Sequence, residues 1–255
     1  NTPNGIELGL YAVSSHALIP INDCQIHASI GNRVYGKVCE IIKTSGITAY
    51  DPETGKGELR HLLIRSAVET QQVLLILVTA QAKTKILQFI AREIMSSCSE
   101  VKGVVHNINQ QKDNVILGRD FNVLEGAGFI TERLGEIEFK ISPSSFFQVN
   151  PAQALRLYRQ VLTFADLQGP ETVLDAFCGV GTLALFFARH VKEVIGVECV
   201  AEAIDDAKEN AKRNNINNTK FVVGNAEDYI KSVKSVDIVL LNPPRKGCDP
   251  VLLKE

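Results

Sequence analysis

Val173-Leu174-Asp175-Ala176-Phe177-Cys178-Gly179-Val180-Gly181-Thr182 decides how this 255-residue chain folds. An apolar run ends in an acid, two glycines follow, and Thr182–His190 then continues with apolar residues suited to a helix. The order is strand, tight turn, helix. Glycine carries no side chain, so the backbone at Gly179 and Gly181 can approach a ligand closely. The first turn of the helix adds unpaired N–H groups. Taken alone, Gly179-x-Gly181-x-x-Ala184 also meets the dinucleotide fingerprint, and a plain helix–strand junction would need the same glycines.

Outward from this turn, the chain from about Glu136 alternates short β-rich runs with amphipathic helices. The runs are Glu171–Asp175, Glu193–Glu198, Lys220–Val223 and Val236–Leu241; the helices are Thr182–His190, Ala201–Asn214 and Ala226–Lys231. Parallel strands need crossovers, so this alternation predicts a doubly wound parallel sheet with helices on both faces. Asn150-Pro151 is an N-cap followed by proline at the first helical position, and Leu155, Tyr158 and Leu162 form the expected buried stripe. Residues 1–140 read instead as a smaller mixed α/β domain. It has helices over Ser29–Thr44 and Thr84–Ser96, and strands at Gln72–Thr79, Val101–His106 and Asn114–Leu117. Asp51–Gly57 is a polar loop of turn formers. The expected domains are therefore 1–140 and 141–255.

Two acids narrow the ligand. A carboxylate at Asp175 beside the glycine turn would repel a pyrophosphate but suits the ammonium or sulfonium region of S-adenosylmethionine. Glu198 ends the second strand, 23 residues later, where a carboxylate accepts both hydroxyls of a ribose in either cofactor. Phe177 and Cys178 fit either a lining of the adenosyl pocket or plain core. Asn225 follows the third strand, as a polar neighbour of the adenine, as the N-cap of the next helix, or as both. Asn242-Pro243-Pro244-Arg245 follows the fourth strand, at the end of the sheet where ligands sit, and its prolines hold the backbone rigid.

Bulk properties set limits. With 45% apolar and 22% charged residues the chain is globular. No stretch approaches the roughly 20 apolar residues of a membrane span, and Asn1-Thr2-Pro3-Asn4 does not resemble a signal peptide, so the expectation is a cytoplasmic monomer. The net charge is −2, with 14 basic against 15 acidic residues up to Lys140 and 13 against 14 after it. Any RNA must therefore use a local patch. Six cysteines form no C-x-x-C pair, which leaves no visible zinc site or disulfide framework.

These residues, with Ser142-Pro-Ser-Ser-Phe-Phe-Gln148-Val-Asn150 just upstream, resemble the RNA uracil-5-methyltransferase family of the RumA and TrmA type. The resemblance covers the whole chain. Leu8-Gly9-Leu10-Tyr11, Ser15-His-Ala-Leu-Ile-Pro-Ile-Asn-Asp-Cys24 and Leu59-Arg60-His61-Leu62-Leu63-Ile64-Arg65 look like that family's central domain, and Pro243-Pro-Arg-Lys-Gly-Cys-Asp249 is a specific match. It implies a Rossmann-like S-adenosylmethionine-dependent methyltransferase fold, incomplete at its C-terminus, preceded by the central domain. It also implies that Gln148, Phe177, Thr182, Glu198 and Asn225 line the cofactor site, and that Arg60, His61, Arg65 and Arg245 face an RNA, 23S rRNA or tRNA.

The departures bear on chemistry. The family has Asp-Pro-Pro-Arg where this chain has Asn242-Pro-Pro-Arg245. Asn-Pro-Pro is shared with enzymes methylating exocyclic amines, which keeps an RNA N-methyltransferase as the alternative, beside a non-catalytic RNA-binding module. Methylation of uracil C5 requires a cysteine thiolate to add at C6 and a base to take the C5 proton. In the family that cysteine and a glutamate base lie beyond the Pro-Pro-Arg motif, and here they are expected beyond Glu255, the last residue of the sequence. The expectation is thus a chain truncated at both ends that binds cofactor without turning over. Cys248 is read as structural. Some family members also hold a [4Fe-4S] cluster on three upstream cysteines and one matching Cys24; Cys24 reads either as the fourth ligand of such a cluster in a full-length protein or, in this chain as given, as a free buried thiol.

Overall fold

The computed structural model describes residues 6–13, 15, 17–82, 85–111, 115–233, 235–245 and 247–249. His16, Thr84, Asn114 and Lys246, which the sequence reading places in a motif, a helix, a strand and a motif, lie outside the described residues. So do residues 1–4, read for a signal peptide, and Glu255, beyond which the nucleophilic cysteine and glutamate base are expected. The chain divides into two compact units, 1–130 and 131–255.

In the first unit a short antiparallel pair, β1 (Gly9–Tyr11) and β2 (Leu18–Pro20), precedes α1 (Ser29–Ser45). Ile30, Val34, Val38 and Ile42 recur every four residues and form the buried face of α1, which stops at Gly46 in the left-handed region, φ 82°. A four-stranded sheet follows in the order β3 (Leu59–Ala67), β4 (Gln72–Thr79), β5 (Val101–Ile108), β6 (Asp120–Gly126). The β4–β5 pair is parallel, because α2 (Ile86–Ser97) supplies the crossover; the outer pairs are antiparallel. Every residue of β4 from Val73 to Thr79 is buried, which is why it reads as an unbroken apolar run rather than an alternating one. Val73, Leu75 and Leu77 pack on Val34, Val38 and Ile42 of α1 and Leu87, Ile90 and Ile94 of α2. The strand expected at 114–117 is absent at 115–118. The carbonyls of Val115 and Ile116 are held instead by the Asn109 side chain, at 2.7 and 3.1 Å, and the strand forms later as β6.

At the division between the units come β7 (Ile130–Leu134) and β8 (Ile137–Ile141), joined at Gly135 with φ 62°. Apart from Ile130, both strands fall within the second unit, which begins at residue 131. Next comes α3 (Pro151–Ala165), whose Asn150 side chain accepts the Gln153 N–H at 3.1 Å as an N-cap. Its buried residues are Pro151, Ala154 and Tyr158; Leu155 and Leu162 of the expected stripe are only half-buried. Then β9 (Thr172–Asp175), α4 (Thr182–Ala188), β10 (Glu193–Glu198), α5 (Ala201–Arg213), β11 (Thr219–Val223), α6 (Ala226–Ser232) and β12 (Ile238–Leu240) alternate as the sequence predicts. The sheet is wholly parallel in the order β11-β10-β9-β12. The chain winds outward from β9 and then returns to its other side at β12. This reversal makes the carboxyl end of β9 the crevice of the sheet.

Candidate functional site

The turn after β9 is stitched to both neighbouring strands: Ala176 N–H donates to Leu240 O at 3.1 Å and Cys178 N–H to Val197 O at 3.0 Å. Gly181 sits at φ 83°, where a Cβ would come 3.1 Å from Phe221 Cζ and 3.2 Å from Ala207 Cβ. Beneath it, a Cβ on Gly196 would lie 2.6 Å from Phe221 Cδ1 and 2.9 Å from Cys178 Sγ. Gly196 thus makes room for Cys178, whose thiol burial pushes far up in pKa, aided by the Asp175 and Glu198 charges. Such a thiol packs and does not react. Gly179 differs. At φ 51° it needs the left-handed conformation, yet a Cβ there would meet nothing within 4 Å, so this part of the turn faces open space.

Asp175 is 1% exposed, and neither carboxylate oxygen has a hydrogen-bond partner. Burial pushes its pKa up to about 7; the nearby amides of Phe177 and Ala184, which fall short of hydrogen-bond geometry, pull the other way without offsetting burial, and the Glu198 charge adds to the rise. A buried carboxylate without partners is costly, so its retention points to a ligand that satisfies it. Beside it stands Tyr158, which the helical stripe of α3 predicts only as core. Tyr158 OH lies 3.3 Å from Thr182 Oγ1, and burial raises its pKa, opposed by hydrogen bonds from Thr182 and Gln148 and reinforced by the Asp175 charge. Gln148, from the segment before α3, therefore converges with Tyr158 of α3, Asp175 of β9 and Thr182 of α4.

Glu198 is half-buried at the end of β10. Its Oε2 accepts the Gly179 N–H at 3.3 Å, and Oε1 accepts the Val200 N–H at 3.0 Å and the Cys199 thiol at 3.1 Å. Asn225 starts α6 through its backbone, accepting the Tyr229 N–H at 3.0 Å, but its side chain makes no capping bond and is exposed. Phe177 packs on the Ala176–Ala226 cluster and is half-buried. Cys248 packs on the same cluster. Asn242 is exposed just beyond β12, followed by a turn closed by the Gly247 N–H on Pro244 O at 2.8 Å, with Arg245 exposed within it.

The turn is braced from α5. Asn210, fully buried, donates from Nδ2 to Val180 O at 3.1 Å and accepts the Lys140 N–H at 2.7 Å, joining the glycine turn to β8. Asn214 both accepts from Glu138 N–H, at 2.9 Å, and donates to its carbonyl, at 2.7 Å. Asp206 accepts from Ser142 at 2.9 Å and Ser145 at 2.5 Å, fixing the segment that leads to Gln148. Polar residues at 206, 210 and 214 repeat every four positions along the apolar face of α5 and its C-cap, a periodicity visible in the sequence itself.

The remaining expected residues lie in the first unit, on β3. Arg60 donates from Nη1 to the carbonyls of Asn109 and Gln111, both at 2.6 Å, and its guanidinium lies 4.9 Å from the centre of the Tyr50 ring. His61 is held below its ordinary pKa by burial and by the Arg60 charge, and burial also lowers Arg65. Cys24 is half-buried, with its backbone N–H and C=O bound to the Asn32 side chain at 3.2 and 3.0 Å. Among the described residues no three His, Cys, Asp or Glu side chains converge as a metal site.

A family model described as a methyltransferase domain matches residues 168–252. The chain is 41% identical over 255 residues to an uncharacterized RNA methyltransferase of Halalkalibacterium halodurans, with 98% of this chain and 56% of that protein covered. It is 42% identical over 253 residues to one from Bacillus cereus, covering 98% and 55%. Among solved structures, the Pyrococcus abyssi tRNA (uracil-54, C5)-methyltransferase in complex with S-adenosyl-L-homocysteine aligns with a TM-score of 0.79 at 26% identity. It covers 96% of this chain and 58% of its own. The chain thus spans about half the length of the curated relatives it matches, 56% of the first and 55% of the second. Strand order, glycine turn and these likenesses agree on one conclusion: the chain is mixed α/β and carries a Rossmann-like methyltransferase fold.

Proposed function

We propose that this chain binds S-adenosylmethionine at the carboxyl end of β9 and β10 and is part of an RNA methyltransferase acting on C5 of uracil in rRNA or tRNA. The buried, unpartnered Asp175 carboxylate beside the open face of Gly179 carries the reading. It fits the positively charged end of this cofactor and would repel a pyrophosphate. Glu198 accepts the ribose hydroxyls by turning from the Gly179 and Val200 amides. The uncapped Asn225 side chain meets the adenine, and Phe177 offers its exposed face. Gln148, Thr182 and Asn242 complete the lining, and Tyr158 orients Gln148 and Thr182. When bound, the cofactor supplies an electrophilic methyl group.

RNA as the substrate is supported by the relatives named RNA methyltransferases, and uracil C5 by the likeness to the Pyrococcus abyssi enzyme. Arg245, exposed beside Asn242, is proposed to face the RNA. No nucleophile or base is assigned within the described residues: Cys178 is buried and Cys248 packs on the Ala176–Ala226 cluster. Both groups are proposed to lie beyond Glu255 in the whole protein, to which turnover belongs, and the residues named above bind the cofactor. No helix among the described residues is long and apolar enough to cross a membrane, and a cytoplasmic monomer is proposed. A second reading, methylation of an exocyclic amine, rests on the exposed Asn242 amide at the mouth of the sheet.

Calorimetry tests the site: S-adenosylhomocysteine is expected to bind, and Glu198→Ala to weaken it about 100-fold through loss of two charge-assisted hydrogen bonds. No binding, or an indifferent variant, would refute it. Nucleoside mass spectrometry of RNA from cells lacking the gene separates the substrates. Loss of a 5-methyluridine is expected; loss of an N-methylated purine instead would establish the second reading.

A further inference from the structure

The first unit contains a cleft of about 840 Å3, a size typical of small-ligand sites, that the cofactor site does not use. Three of the chain's five tyrosines line it: Tyr11, Tyr35 and Tyr50. The chain has no tryptophan, and these three rings are the aromatic side chains of the cleft wall. Tyr11 is 48% exposed on β1. Arg60, pinned by two carbonyls and lying over Tyr50, is already ordered and loses little rotamer freedom when a flat ring stacks against it.

Charge defines what fits. Arg60 stands against Glu7 and Asp51 in the lining, a sum of −1, and His61 is kept neutral by burial and by the Arg60 charge. This is a poor place for a phosphate. It is a good place for a neutral planar ring with a hydrogen-bonding edge, for which neutral His61 offers one donor and one acceptor. We infer that this cleft binds an unpaired nucleobase of RNA, stacked on the tyrosine rings and the Arg60 plane and met at its edge by His61, with the phosphates outside. Unstacked bases are recognised through such platforms. Arg60 and His61, which the family resemblance implies face an RNA, meet its base rather than its phosphates.

The inference rests on the reading of the chain as part of an RNA-modifying protein. A fluorescent ten-nucleotide oligouridylate and an abasic strand of equal length are titrated with the 255-residue chain. The oligouridylate is expected to bind about tenfold or more tighter than the abasic strand. Tyr11→Ala and Tyr50→Leu each weaken it about tenfold, and Tyr11→Phe, which keeps the ring, restores affinity. Equal binding of the abasic strand, or variants that bind like the parent, would overturn the inference. S-adenosylhomocysteine affinity, unchanged in these variants, shows that the second unit is intact. Its absence in the parent would sink the proposed function while leaving the base-binding result to stand on its own.

Discussion

Replacing Asp175 by Asn is expected to strengthen the fold while removing the ligand site. The carboxyl is pushed up to about 7 from an ordinary 3.8. The roughly three pH units between them, at about 1.4 kcal/mol each, amount to about 4 kcal/mol. Because the folded pKa is raised, the folded state holds the proton more tightly. The contribution is complete below pH 4, declines as pH rises from 4 to 7, and is level above 7. Asn is neutral throughout and escapes that decline, although its buried amide lacks a partner and costs about 1–2 kcal/mol. The net gain at pH 8 is about 2 kcal/mol, a rise in Tm of about 6 °C for the second unit, whereas at pH 4 the variant melts below the parent. Thermal melts at both pH values, with calorimetry of S-adenosylhomocysteine, give the answer. Parent affinity should rise up to about tenfold per pH unit from 5 to 7 and level off above, as Asp175 ionises to meet the ligand's ammonium; the variant should bind about 100-fold more weakly, without that pH dependence. A variant destabilised equally at pH 4 and pH 8 would mean that Asp175 is ionised and satisfied in the free protein, and the reasoning fails.

Two further substitutions separate ligand contact from packing. Gly179→Ala should cost only about 1 kcal/mol, the strain of a positive φ, yet weaken S-adenosylhomocysteine more than tenfold; Gly196→Ala should cost about 1–3 kcal/mol by crowding Phe221 and Cys178. Denaturant melts and calorimetry that reversed this pattern would move the open face of the turn elsewhere. Asn210→Ala should cost about 2–4 kcal/mol and weaken S-adenosylhomocysteine, while Asn214→Ala costs stability alone, because only Asn210 reaches the glycine turn. Equal effects on binding would deny that link.

Much of the second unit is legible in the sequence because its strands and helices alternate with clear periods, and its glycines, acids and prolines fall at strand ends. Glu193–Glu198 forms as read, and the Asn150 cap is where the sequence puts it. Less legible are features made by tertiary contact. Tyr158 reads as one apolar position of a helix stripe; only the fold brings its hydroxyl to Thr182. Side-chain bonds from Asn109 replace a ladder at 115–116, so an apolar run there is not a strand. On Arg60 the sequence shows a cation, whereas the carbonyls that occupy it come from residues 49 and 51 positions away.

The side-chain amides on α5 also settle a problem of exposure. Strands β7 and β8 form a sheet of only two, and a free strand edge offers its peptide groups to any passing extended chain. Asn214 occupies both peptide groups of Glu138, and Asn210 takes the N–H of Lys140. The helix therefore acts as a blunt third strand that binds the edge through side chains and offers no new edge of its own. It seals β8 against strand addition and aggregation without a larger sheet.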